Sequence, residues 1–116
     1  MATSTHVTTS IESGVLIARL TTSALSEYEA GVIGTQIKDE APGATWKVVI
    51  DMTEVVHIAS AGLGMLVDIR NTAKKYDGEM AACGISPQIM EVMKMTHLHK
   101  IFVITKDVKG AVKKVK

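Results

Sequence analysis

Three consecutive β-branched residues, Val48-Val49-Ile50, sit near the middle of the chain with no polar side chain between them. A strand so patterned carries apolar side chains on both faces, and both faces must then be covered. The flanking sequence alternates short and long apolar patterns. His6 to Ile11 and Val15 to Leu20 read as strands joined by the turn residues Glu12-Ser13-Gly14. Ser26 to Glu40 places Tyr28, Val32, Ile33 and Ile37 near one helical face, against the helix-weakening Gly31 and Gly34, and Ala41-Pro42-Gly43 stops it. Trp46 to Met52 holds the central run, and Thr53 to Ala59 is a connection. Ala61 to Tyr76 reads as the main helix, with Leu63, Leu66, Val67, Arg70 and Ala73 near one stripe and Asp77-Gly78 at its end. Met80 to Cys83 is a short strand. Ser86-Pro87 opens a helix to about Met95 with a cap and a proline at its first position. Ile101 to Thr105 is the last strand, and Asp107 can cap a closing helix. The order ββαβαβαβα predicts an α/β fold. We expect a single domain over residues 1–116, with residues 1–5 disordered or loosely attached. Its mostly parallel central sheet has about five strands, an antiparallel N-terminal edge and about four helices.

The composition fits that layering. Apolar residues make up 47% of the 116 residues but aromatics only 3%, so the core is built from Val, Ile, Leu, Met and Ala. A net charge of +1, from 13 basic and 12 acidic side chains, lacks the strong basic footprint of a nucleic-acid binder. Cys83 is the single cysteine, which suits a reducing compartment. Met1 to Ser10 has neither the basic nor the apolar region of a signal peptide. The longest weakly polar stretch, Ile58 to Val67, is about half of the roughly 20 residues a membrane span needs. The expected location is cytoplasmic.

The chemistry concentrates in Asp51 to Leu66. A strand ends at Asp51, a loop follows, and a helix starts near Ala61, so Ser60 falls at or next to the helix N-cap. On position alone, capping the first turn is a sufficient role for Ser60. Gly62 and Gly64 lie in that first turn, where glycine costs about 0.8–1.0 kcal/mol relative to Ala in a helix interior. They serve either a bare surface or close packing of this helix on the sheet. Ala59 and Ala61 flank Ser60 with small side chains that leave its hydroxyl reachable.

The segment VVIDMTEVVHIASAGLGML resembles the signature of STAS domains, named for sulphate transporters and anti-sigma factor antagonists. Met80 to Pro87 is similar to the family's fourth strand and the turn after it. Met93 to Phe102 is similar to its helix-to-strand passage, and Asp107 onward to its closing helix. The resemblance implies an anti-sigma factor antagonist that is not an enzyme and needs no cofactor or metal. It implies binding to an anti-sigma factor serine kinase through Ala59, Ser60, Ala61, Gly62, Leu63, Gly64 and Met65. It further implies release on phosphorylation of Ser60 and resetting by a PP2C-type phosphatase, with no nucleic acid or membrane as direct partner. Ala59 departs from the Asp that many members carry before the serine. The alternative is a STAS scaffold or a regulator of a signalling assembly or transporter, without a phosphoswitch.

Other signals carry less. Gly62-Leu63-Gly64 begins like a dinucleotide fingerprint, but Val67 stands at the third glycine. Ser60-Ala61-Gly62 is half of a nucleophile elbow with Ile58 where its first glycine belongs. His97 and His99 lack a third ligand nearby. Lys106, Lys109, Lys113 and Lys116 recur at helical spacing opposite Val108, Val112 and Val115, a solvated face that could also attract an anion. Met65, Met90, Met93 and Met95 are candidates for a soft partner surface.

Overall fold

The computed structural model describes Ala2, Thr3 and residues 6–116. Strands β1 (Ala2–Thr3), β2 (Val7–Glu12) and β3 (Val15–Leu20) form an antiparallel edge. Strands β5 (Lys47–Asp51), β7 (Glu79–Cys83) and β8 (Val103–Thr105) continue from β3 in parallel, so the sheet runs β1-β2-β3-β5-β7-β8. A separate parallel ladder joins β4 (Ala24–Leu25) to β6 (His57–Ile58). Helices α1 (Glu27–Glu40), α2 (Ser60–Lys75) and α3 (Pro87–Met95) contribute to one core layer, and α4 (Val108–Val115) to the other.

The central run explains this layering. Val48 and Ile50 join Leu16, Ala18, Met80 and Ala82 in a core completed by Ile33, Ile37, Leu66, Ile69, Ile89 and Met93 from the three helices. Val49 lies in the other cluster, with Ile17, Ala81 and Cys83, under Ala111 and Val115 of α4. Val48, Val49 and Ile50 are each fully buried. At about 1.5–3 kcal/mol per large aliphatic side chain, this strand is a principal source of stability.

Local signals set the helix starts. Glu29 reaches back to accept from the Ser26 backbone N–H at 3.1 Å and from the Ser26 hydroxyl. The hydroxyl contact holds the Glu29 carboxyl below its ordinary value. Ser86 accepts from the Ile89 N–H at 3.3 Å, with Pro87 next to it, and Asp107 accepts from the Gly110 N–H at 2.9 Å.

The structure corrects several expectations. The connection after β5 contains β6. The buried stripe of α2 is Gly62, Met65, Leu66, Ile69 and Ala73, leaving Leu63, Val67 and Arg70 at its half-buried flank. The last strand starts at Val103, because His97 turns left-handed at φ 61° and Leu98–Lys100 forms a 3₁₀ turn first. The expectation for residues 1–5 is not among these corrections: Ala2 and Thr3 pair with Thr9 and Thr8, and Met1, Ser4 and Thr5 lie outside the described residues.

Cys83 ends β7 and is fully buried. Burial, aided by the negative charges of Asp51 and Asp107, pushes its thiol up from 9.0 to about 12. A raised value means the folded state holds this proton more tightly. The stability it confers is complete below pH 9.0 and is lost as pH climbs towards about 12. Native Cys83 should therefore resist iodoacetamide at about pH 8 and react once urea unfolds the chain. The urea midpoint should also fall more steeply above pH 9 in the wild type than in Cys83→Ala.

Candidate functional site

Strand β5 delivers the chain to the site through Asp51, which is buried. Its Oδ1 accepts from the Thr53 backbone N–H at 3.0 Å and the Thr53 hydroxyl at 2.5 Å, and its Oδ2 pairs with Arg19 Nε at 3.3 Å. The Met52 N–H donates to the Cys83 carbonyl at 2.9 Å. Gly84 closes over this turn with φ +67°, where a Cβ would stand 2.3 Å from Thr53 Oγ1. The loop is thus pinned at its root.

Its far end is pinned to β4. The N–H groups of Val56 and His57 both donate to the Ser23 carbonyl, at 2.8 and 3.0 Å, and the Ala59 N–H donates to the Leu25 carbonyl at 3.0 Å. Ala59 is extended at φ −95°, ψ 172°, and its carbonyl accepts from Gly62 and Leu63. Ala59 is therefore the N-cap of α2, and Ser60 is the first helical residue. The cap role open to Ser60 on sequence grounds falls one residue earlier, on a side chain that cannot perform it.

The seven residues of the expected partner surface separate by exposure. Ala59, Ser60, Ala61 and Gly64 are exposed, Leu63 is half-buried, and Gly62 and Met65 are buried. The two glycines have opposite reasons. A Cβ on Gly62 would lie 2.6 Å from the Leu25 carbonyl oxygen and 2.8 Å from Ile58 Cγ1, so this position is the close contact between α2 and the β4–β6 ladder. A Cβ on Gly64 would meet nothing within 4 Å. Met65 packs on Gly34 of α1, where a Cβ would stand 3.3 Å from its Cγ. Beside Ser60, Ala61 and Gly64 face Ala30 and Gly31 of α1 across a cleft of about 340 Å³.

No acidic residue occupies the first turn of α2, so its free N–H groups and positive dipole end are uncompensated. The arrangement offers a small, neutral hydroxyl platform poised to accept negative charge. Of the methionines proposed for a soft surface, Met93 is fully buried, Met65 nearly so and Met90 half-buried, while Met95 is 75% exposed. His99 Nδ1 lies 3.4 Å from the Met93 carbonyl, a structural contact. Among the described residues no group of three His, Cys, Asp or Glu is placed to hold a metal, and no helix is long and apolar enough to cross a membrane.

The family model of the STAS domain matches residues 6–111. The chain belongs to the STAS domain family. Solved structures agree on the fold. A Thermotoga maritima protein proposed as an anti-sigma factor antagonist superposes with a TM-score of 0.82 at 23% identity, covering 94% of this chain and 93% of that one. An anti-sigma factor antagonist from Mycobacterium paratuberculosis gives 0.82 at 18% identity, with 94% and 92% covered. The phosphorylated form of the Bacillus cell fate determinant SpoIIAA gives 0.72 at 15% identity, with 95% and 99% covered.

The two glycines of this STAS domain should respond oppositely to alanine. Gly62→Ala forces a methyl into the Leu25 backbone and should cost about 1–3 kcal/mol. Gly64→Ala adds helix propensity in open space and should gain up to about 1 kcal/mol. Urea melts of both variants check the pair.

Proposed function

We propose that this STAS domain is an anti-sigma factor antagonist that binds an anti-sigma factor serine kinase while Ser60 is unmodified and releases it once Ser60 is phosphorylated. The observation that carries the reading is the exposed Ser60 hydroxyl at the first position of α2, between two exposed alanines and ahead of an exposed glycine. A partner can approach such a surface closely without displacing side chains. The chain acts here as substrate and binding surface. The kinase moves the phosphoryl group of its nucleotide to Ser60 Oγ, and a PP2C-type phosphatase later hydrolyses it.

The phosphoryl group brings about −1.5 to −2 charges at neutral pH. On this domain they meet free amides that no side chain caps, because Ala59 stands where a capping Asp would compete for them. Modification should therefore leave the fold intact or tighten it. At the interface the same charge is buried against a surface shaped for a neutral hydroxyl, which is far more costly.

Three proteins test this: wild type, Ser60→Asp and Ser60→Ala, each titrated against the cognate kinase and melted in urea. Ser60→Asp should lose binding yet gain about 0.3–1 kcal/mol of stability from the helix end. Ser60→Ala should keep binding and resist release by ATP. Its stability should stay within about 0.5 kcal/mol of wild type, as for a surface change, because the cap of α2 is Ala59. Undiminished binding by Ser60→Asp would remove the switch.

A further inference from the structure

The two faces of the sheet are unequally covered. On the face bearing α4, Ala111 and Val115 seal Val49, Ala81 and Cys83. Towards the antiparallel edge, Thr8, Ser10 and Glu12 of β2 instead line open clefts beside α4. One cleft, of about 490 Å³, runs between α4 and β3. A second, of about 330 Å³, shares Glu12, Ile17 and Val108 with it and extends it towards Arg19. The apolar surface comes from the half-buried Val108 and Val112, with Ile17, only 8% exposed, at the floor.

The rim is cationic. Lys109, Lys113 and Lys116 stand exposed along the α4 side, and Arg19 lies on the strand side. Among the described residues the ion pairs are Arg19–Asp51, Lys38–Asp68 and Lys74–Glu79, so none of the three lysines is matched. Arg19 engages Asp51 through Nε, yet its side chain stays 60% exposed. Glu12 is the one acid of the lining, and it accepts from the Ser10 hydroxyl at 3.1 Å.

The distribution of charge selects the occupant. Lys109, Lys113 and the C-cap Lys116 stand seven steps apart end to end, about 10 Å along the helix axis. A single-headed amphiphile would neutralise one end of this row and leave the rest unmatched. A helix carrying carboxylates at the same spacing would match the whole row. Strands β2 and β3 lie about 4.8 Å apart, and helices pack about 8–10 Å apart, so the open half of this face accommodates one helix beside α4. We propose that this groove docks an acidic amphipathic helix from a partner protein. Its carboxylates lie on Lys109, Lys113 and Lys116, and its apolar stripe on Val108 and Val112. The groove lies on the face opposite the core layer of α2, so docking here does not depend on Ser60.

The probe is a synthetic helical peptide with Glu at i, i+4 and i+7 and Leu on the adjacent stripe, titrated into the ¹⁵N-labelled full chain. Saturable shifts should centre on Ser10, Glu12, Ile17 and residues 108–116. Reversing Lys109 and Lys113 together to Glu should weaken binding about tenfold, since two exposed pairs are lost and reversal adds repulsion. Both residues are exposed, and a urea melt should match wild type. Ser60→Asp should bind the peptide as wild type does, which keeps this result separate from the switch. The proposal is overturned if shifts do not saturate or centre elsewhere. Equal binding of a Gln-for-Glu peptide or by the reversed variant also overturns it, as does binding to phosphatidylserine vesicles in place of the peptide.

Discussion

A strand without a polar face has nowhere to be solvated, and Val48-Val49-Ile50 imposes that condition on this molecule. Covering one side requires the layer formed by α1, α2 and α3, and covering the other requires α4. Parallel pairing of β5 with both β3 and β7 follows, since each crossover lays a helix over the sheet. The carboxyl end of such a strand is where loops are free to present chemistry. Asp51 occupies that end, and its hydrogen bonds with Thr53 and ion pair with Arg19 convert a strand terminus into a fixed exit.

The exit leads to a helix start that is held from outside rather than capped from within. Leu25 supplies the carbonyl that orients Ala59, and the bare backbone of Gly62 lets α2 settle onto β4 and β6. The first turn gains its position without a polar side chain over its amides. This is an economical way to keep a serine both rigid and unencumbered. A charge arriving there changes the surface far more than it changes the packing beneath.

Much of this was legible in the sequence because the decisive signals were local. The β-branched run, Ser86-Pro87 and Asp107 each correspond to what they predict, and strand–helix alternation specifies the layering. What stayed hidden was tertiary. Two-residue strands such as β4 and β6 show no periodicity, so the Leu25 carbonyl that fixes the cap at Ala59 leaves no trace in the pattern. Gly62 and Gly64 look alike in sequence, and only the approach of Leu25 and Ile58 separates the packed one from the open one. For the same reason the pattern of α2 shows Leu66 and Ala73 on the buried face but not Met65 and Ile69. Met65 turns inward because Gly34 on α1 makes room for it.

The central claim is that charging Ser60 alters the surface and spares the fold. Amide spectra of the ¹⁵N-labelled protein with serine and with phosphoserine at position 60 test it most directly. Changes should be confined to Ala59–Gly64 and the adjoining His57–Ile58 ladder, with the free amides of the first turn moving downfield as they bond to phosphate. Shifts spreading through Val48–Ile50 and Met80–Cys83, or a loss of dispersion, would contradict it.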